Sequence, residues 1–170
     1  VQMGVPYEKI VDSIAKFKGV GRRFEKLYEN KNMIVIDDYG HHPTEIKATL
    51  KSMQEIYTKK NIICVFEPHR YSRTKKCWKD FVDCFGSANE LMLGPIYPAS
   101  EEPIEGITSD NLSLDINLST SNMSQSVNSL ENIFLILEKR AIEDNEEIVV
   151  IALGAGSIGR KVREWVQQLN

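Results

Sequence analysis

The feature that most constrains this chain is a set of short, almost wholly apolar runs, each followed by a stretch with helical spacing. Met33 to Ile36, Asn61 to Phe66 (NIICVF) and Glu147 to Leu153 (EIVVIAL) carry apolar residues at consecutive positions instead of alternating ones. Strands of that kind are buried on both faces, as in a parallel sheet covered by helices. Behind the first run, Ile46, Leu50, Met53 and Tyr57 recur at helical spacing over Thr44 to Tyr57. Behind the second, Trp78, Phe81, Val82 and Phe85 do so over Ser72 to Phe85. Ser157 to Leu169 follows the last run with Ile158, Val162, Trp165 or Val166, and Leu169 inward. The alternation predicts an α/β fold: a mainly parallel, Rossmann-like sheet flanked by helices, with room for an antiparallel edge strand.

The rest of the pattern fits around that frame. Pro6 to Phe17 is predicted helical, and Gly19 and Gly21 break it. Phe24 to Tyr28 alternates as a strand, Asn30 to Asn32 reads as a turn, and Glu90 to Leu93 as a further strand. Ile107 to Leu112 suits a short helix, the polar segment Ser113 to Met123 a strand and loop, and Ser126 to Ala141 a helix. At 170 residues with no internal repeat and no domain-sized linker, one domain over 1–170 is expected. The abrupt Val1-Gln2-Met3-Gly4 opening is what a fragment would show.

Lys plus Arg is 21 against 24 for Asp plus Glu, a formal net charge of -3. Such a chain has no global electrostatic reason to bind nucleic acid or anionic lipid, so any anion site is local. No run has the length of a membrane span. The three cysteines, Cys64, Cys77 and Cys84, are odd in number and lack CxxC spacing, which argues against a disulfide framework and for a reducing, cytoplasmic setting.

All three histidines fall in two segments, Asp37-Asp38-Tyr39-Gly40-His41-His42-Pro43-Thr44-Glu45 and Phe66-Glu67-Pro68-His69-Arg70-Tyr71-Ser72-Arg73-Thr74. Each follows a predicted strand and precedes a predicted helix. Right-handed crossovers bring such loops to the same sheet edge, where ligands of open α/β sheets bind. The two loops are therefore expected to share a site, although any one member has a plainer role open to it. Asp38 can cap a turn, Thr44 and Glu45 can be ordinary first-turn residues, and His41 can be a solvated loop residue.

Arg70 and Arg73, three apart, suit an anion held in guanidinium forks at a helix start. Spacing alone leaves that reading level with a surface pairing to Glu67 or Asp80. Arg22 and Arg23, if extended, point to opposite faces, so at most one meets a given ligand. Gly154-Ala155-Gly156-Ser157-Ile158-Gly159 matches G-x-G-x-x-G, but no second βαβ unit follows it to hold a ribose. Tight strand–helix packing is the better expectation.

With these residues in view, the chain resembles the C-terminal domain of the Mur ligase family, nearest its alanine-adding branch. Gly19-Val20-Gly21-Arg22-Arg23-Phe24, DDYGHHPTE at 37–45, PHRYSRT at 68–74, Ile96-Tyr97-Pro98-Ala99 and GAGSIG at 154–159 occur in the family's order and span the chain. A branch that recycles murein tripeptide is similar around the histidines but matches PHRYSRT less fully. A standalone nucleotide-binding α/β module is the alternative from another class.

The resemblance implies an ATP-dependent ligase that activates the lactyl carboxylate of UDP-N-acetylmuramate as an acyl phosphate, which L-alanine then attacks. ATP and Mg²⁺ would be held mainly by a central domain. The chain has no G-x-x-x-x-G-K-[ST], so that domain and a UDP-sugar domain are expected to lie outside it, leaving the fragment inactive alone. By resemblance, Asp38, Tyr39, His41 and His42 are nucleotide-side residues. His69, Arg70 and Arg73, with Arg23, are expected to receive the alanine carboxylate or polarise the acyl phosphate. His41, His69, Arg70 and Arg73 form the catalytic set, with no general base assigned. Ser100-Glu101 stands where a Gly-Glu pair is commoner in the family.

Overall fold

A computed structural model describes residues 4–15, 21–120, 123–143 and 146–169. Among the described residues thirteen elements follow one another: α1 (Tyr7–Ala15), β1 (Glu25–Glu29), β2 (Met33–Asp38), α2 (Pro43–Ile56), β3 (Asn61–Phe66), α3 (Tyr71–Lys76), α4 (Trp78–Asp83), β4 (Glu90–Leu93), α5 (Ser109–Ser119), β5 (Met123–Ser126), α6 (Leu130–Ile142), β6 (Ile148–Leu153) and α7 (Ile158–Gln168). The expected helix over Pro6 to Phe17 is present as α1, while Phe17 and Gly19 lie outside the described residues.

The strands form one sheet in the order β1-β2-β6-β3-β4-β5. All neighbours are parallel except β1 and β2, so the antiparallel edge strand is present. The consecutive apolar residues divide between two faces, as the pleat requires. Ile34, Ile36, Ile62, Cys64 and Phe66 meet α2, α4 and α5 through Leu50, Met53, Phe81, Leu112 and Ile116. Met33, Val35, Ile63 and Val65 meet α6 and α7 through Ile133, Leu137, Val162 and Trp165. Every residue of β2 and β6 is buried, because these strands are covered on both sides.

Three boundaries differ from the sequence reading. Ser72 to Phe85 is two helices, broken at Cys77 without a Gly or Pro to signal it. Beyond the break, the Trp78 indole donates to Asp115 of α5 (2.7 Å), a tertiary contact that helical periodicity does not report. The segment expected to turn from helix to strand and loop at Ser113 stays helical to Ser119, with Leu112 and Ile116 inward. Ser126 belongs to β5 instead of opening a helix. α6 starts after Ser129, whose hydroxyl accepts from the Asn132 amide (3.1 Å).

The strand order differs as well. The α2 crossover does not place β3 beside β2, because β6, contributed by the end of the chain, lies between them. Leu153 is thereby in register with both Asp38 and Phe66. The turn that follows β6 emerges midway between the two histidine loops.

Candidate active site

At the carboxyl edge the two histidine loops converge as expected, and a row of rings crosses the gap. Tyr39 meets His41 edge to face with centroids 5.3 Å apart, and His41 lies 6.1 Å from His69. His69 stacks on Tyr97 at 5.4 Å and 19°. Beyond Tyr39, the guanidinium carbons of Arg22 and Arg23 lie 4.9 and 5.7 Å from its ring centroid. At the other end the Arg73 guanidinium reaches His69 Nδ1 at 3.3 Å. His42 does not join the row: its exposed ring turns towards the Cys77 thiol, 3.9 Å away.

Backbone hydrogen bonds hold the row together. Arg70 N–H donates to the Tyr97 carbonyl and Tyr97 N–H to that of Pro68, both at 2.8 Å, forming an isolated parallel bridge between His69 and Tyr97. Tyr97 comes from the long irregular loop between β4 and α5. It was in view in the sequence only as part of the Ile96-Tyr97-Pro98-Ala99 motif. Glu101 of the same loop accepts from the Ser72 amide (2.9 Å) and hydroxyl (2.6 Å), fastening the loop to α3.

The carboxylates at this edge are engaged within the chain. Asp38 accepts from the Gly40 amide (2.7 Å) and the Phe24 amide (2.8 Å), so it pins two backbone segments. Glu45 accepts from the amides of His41 (3.1 Å) and His42 (3.2 Å). Burial works against its charge, but these two amides prevail and hold its pKa below the usual carboxylate value. Buried Glu67 takes the Ser157 hydroxyl (2.6 Å) and the Ile158 amide (3.0 Å) at the start of α7. Asp37 takes Arg22 (3.3 Å) and Arg163 (2.8 Å). Burial dominates at Asp37 and raises its pKa in spite of those two cations.

Among the described residues, Arg23, Arg70 and Arg73 form no ion pair. Of the surface partners open to Arg70 and Arg73 on spacing, Glu67 is committed to α7, and Asp80 pairs with neither arginine among the described residues. Also among the described residues, no group of three or more His, Cys, Asp or Glu side chains is placed to hold a metal ion.

Arg22 and Arg23 do not sit on an extended strand. Arg22 (φ 59°) and Phe24 (φ 50°) are left-handed, and this turn lets both arginines approach Tyr39. Arg22 is the structural member, donating to Asp37 and to the Gly154 carbonyl (2.7 Å). Its guanidinium occupies the space where a Cβ at Gly159 would stand. Gly156 is equally constrained, since a Cβ there would lie 2.6 Å from Tyr97 Cγ and overlap the Glu67 carboxylate. The glycine motif therefore allows close packing, as expected, but the groups it admits are parts of the candidate site.

The surroundings of His69 disfavour its protonated form. Burial is the largest influence, and nearby Arg73, His41 and Arg70 add repulsion, all lowering its pKa from the ordinary imidazole value. Because an arginine only donates, His69 Nδ1 accepts and its proton resides on Nε2. His41 has the opposite arrangement, with Nδ1 facing the Tyr39 carbonyl at 3.1 Å. The edge thus offers aromatic faces, an imidazole Nε2–H donor and three guanidinium groups without acid partners among the described residues. That combination suits a ligand with anionic oxygens and a planar or amine-bearing part.

Comparison with known proteins adds an independent line. The family described as Mur ligase, glutamate ligase domain, matches residues 22–156. The UDP-N-acetylmuramate–L-alanine ligase of Solidesulfovibrio magneticus is 49% identical over 112 residues, covering 66% of this chain and 24% of that protein. The enzyme of the same name from Brachyspira hyodysenteriae is 38% identical over 169 residues, covering 99% of this chain and 36% of that protein. Among solved structures, the UDP-N-acetylmuramate–alanine ligase of Thermotoga maritima superposes with a TM-score of 0.74 at 24% identity. The match covers 99% of this chain and 34% of that one, and it is a likeness of fold. Matched over 99% of its residues, the chain spans 36% of the length of the Brachyspira relative, a little over a third.

Proposed function

Because the chain belongs to the Mur ligase family as its C-terminal domain, we propose that it serves an ATP-dependent ligase that joins L-alanine to UDP-N-acetylmuramate in peptidoglycan synthesis. The observation that carries this reading is the set of arginines without acid partners, Arg23, Arg70 and Arg73, around the His41–His69–Tyr97 row. The names of the alanine-adding relatives support the choice of amine. Residues 1–170 act as one domain of a longer, cytoplasmic protein whose central and UDP-sugar domains complete the site.

In this reading ATP supplies the phosphoryl group that activates the lactyl carboxylate, with Mg²⁺ held mainly by the central domain. Tyr39 and His41 face the nucleotide side, on a loop fixed by Asp38 through the Gly40 and Phe24 amides. His42, turned towards Cys77, joins that side only by changing its rotamer. Arg70 and Arg73 receive the alanine carboxylate and the charge that grows on the acyl phosphate as the amine attacks. Arg23 lends charge from across Tyr39. A neutral His69 is suited to this position, because an imidazolium there would repel the alanine ammonium. Proton loss from that ammonium is assigned to no single residue.

A competition assay on the full-length gene product, with ATP, UDP-N-acetylmuramate, L-alanine and murein tripeptide, tests the proposal. Ligation of alanine in preference is the expected outcome. Preference for the tripeptide would move the protein to the recycling branch. No ligation of either would return the chain to a nucleotide-binding module. The 170-residue chain alone is expected to melt cooperatively and to release no phosphate from ATP. Phosphate release by the purified chain, with contaminants excluded by an inactive variant, would overturn the division of labour.

A further inference from the structure

Tyr97 has no role so far beyond standing in the row, yet it is among its most tightly specified members. Both backbone partners of the bridge tie it to the His69 segment. One face lies on His69 at 19° between planes, and the position of its ring excludes a side chain at Gly156. Its loop is fastened a second time through Glu101 and Ser72. A ring so placed both covers its neighbour and limits its rotation.

From this geometry we propose that Tyr97 is a positioning residue for His69: it fixes the imidazole plane and shields one face from water, so that the ring meets the incoming amine as the neutral Nε2–H tautomer. The proposal rests on the ligase reading for the identity of the amine, but the arrangement of the two rings does not depend on it. Two opposed effects of the stack have to be weighed. A tyrosine face attracts a cation and would favour imidazolium. Burial disfavours imidazolium, and Arg73, Arg70 and His41 oppose a further charge, with only Glu101 pulling the other way. Burial is the largest influence on His69, so removing the cover is expected to make it easier to protonate. Arg73 alone would then select the tautomer through a single 3.3 Å contact.

The test is a titration of His69 by NMR in the 170-residue chain, for the parent, Tyr97→Phe and Tyr97→Ala. Tyr97→Leu is added as a variant that keeps enough apolar volume to hold the fold, if the alanine change unfolds the chain, but has no planar face to cover the imidazole. Tyr97→Phe preserves the stack and should leave the midpoint and the ring ¹⁵N shifts of the Nε2–H form unchanged. Tyr97→Ala and Tyr97→Leu should raise the midpoint towards the ordinary imidazole value of about 6.5 and give ¹⁵N shifts of mixed tautomers. A midpoint and tautomer identical to the parent in a folded Tyr97→Leu chain would overturn the proposal and leave Tyr97 as packing alone. In the full-length enzyme, the acid limb of kcat/KM for alanine should move to higher pH in Tyr97→Leu and stay in place in Tyr97→Phe. Failure of the NMR arm with alanine ligation intact rejects the role of Tyr97. Absence of alanine ligation in the parent rejects the ligase reading and leaves the NMR arm able to decide Tyr97.

Discussion

The two edges of the sheet use arginine in opposite ways. At the amino edge, Arg140 makes two bonds to Glu90 (2.7 and 2.8 Å) and two to Glu146 (2.8 and 2.9 Å). Asn61 closes the group by donating to both acids (2.9 and 2.8 Å). Arg140 therefore ties the end of α6 to the starts of β3, β4 and β6, and its charge is fully answered inside the chain. At the carboxyl edge, Arg23, Arg70 and Arg73 have no acid partner among the described residues, while the nearby acids are engaged by amides, hydroxyls and Arg22 or Arg163.

Backbone strain divides the same way. All the non-glycine residues at positive φ among those described, Arg22, Phe24, Arg70, Ala99 and Ser100, lie in loops of the carboxyl edge. Such conformations cost about 1–3 kcal/mol each and persist where the surroundings impose them. Among the described residues, one edge is satisfied and relaxed. The other holds strain and unanswered charge, which is the condition of a surface that meets ligands.

The contrast is broken most directly by exchanging arginine for lysine at each edge. Under the ligase proposal, Arg73→Lys or Arg70→Lys in the full-length protein keeps the charge but loses the planar fork. Losing a charge-assisted contact in a closed site costs about 2–4 kcal/mol, or roughly 30- to 1,000-fold in the alanine-dependent rate. The melting temperature should change little, because no ion pair is lost and only Arg73 gives up an internal contact, the 3.3 Å one to His69. Steady-state kinetics with each substrate varied in turn read the effect, and affinity for UDP-N-acetylmuramate should hold. Wild-type alanine kcat and KM in both variants would remove these arginines from the site.

The mirror experiment is Arg140→Met. Two carboxylates lose their cation in a largely buried group, so denaturant melts should show a loss of about 2 kcal/mol. The alanine-dependent rate of material folded at low temperature should match the parent. A large rate defect with unchanged stability would mean that the two edges are not functionally separate.

Acid separates the edges again. Arg140 holds the Glu90 and Glu146 carboxyls below the usual carboxylate value, so their contribution is present above about pH 4.5 and is lost as pH falls through the folded values. The His69 pKa is depressed in the folded chain, so the unfolded chain takes the proton first. Stability should therefore decline as pH falls from the unfolded value of about 6.5 towards the folded one, and level off below it. Denaturant melts from pH 8 to 3 should show the upper decline flattened in His69→Gln and the lower one flattened in Arg140→Met. An unchanged upper decline in His69→Gln would assign it to another group.

Much of this division can be read in the sequence, but unevenly. The central strands were legible because burial on both faces leaves consecutive apolar residues, as in NIICVF. The convergence of His41 with His69 was legible because strand-to-helix loops of parallel strands share an edge. The insertion of β6 between β2 and β3 was not, since strand order depends on long-range packing that local spacing does not record. α5 was cut short in the reading because its outer face exposes Leu114 and Leu118, while Ser113 and Asn117 face β5 and bond to Ser124, which blurs the apolar stripe. The left-handed backbone of Arg22 is not legible in the sequence, because it comes from fitting Asp37, Gly154 and Gly159. His42 stood beside His41 in the motif, but a ring's direction is set by tertiary neighbours, here Cys77.

The smallest effect expected concerns the strain itself. Glu101 N–H donates to the Pro98 carbonyl (3.0 Å), closing a turn whose central residues, Ala99 (φ 48°) and Ser100 (φ 69°), are both left-handed. Turns with positive φ at both central positions favour glycine, asparagine or aspartate, because a Cβ there crowds the following carbonyl at roughly 1–2 kcal/mol. Ser100 has neither the freedom of glycine nor a long enough side chain to compensate. Ser100→Gly relieves the crowding but gives the unfolded chain more freedom, which returns about 0.5–1 kcal/mol of the gain. The net stabilisation should be at most about 1 kcal/mol, or roughly 2–4 °C in Tm for a chain of this size. Arg140 lies at the far edge, so the gain should add to the loss in Arg140→Met, as distant sites do. It should leave the alanine-dependent rate intact, because the turn still carries Glu101 to Ser72 and Tyr97 to His69. A lower Tm in Ser100→Gly would mean that the serine makes a contact worth more than the strain it bears. A rate loss at unchanged Tm would mean that the stiffness of this turn is itself part of the site.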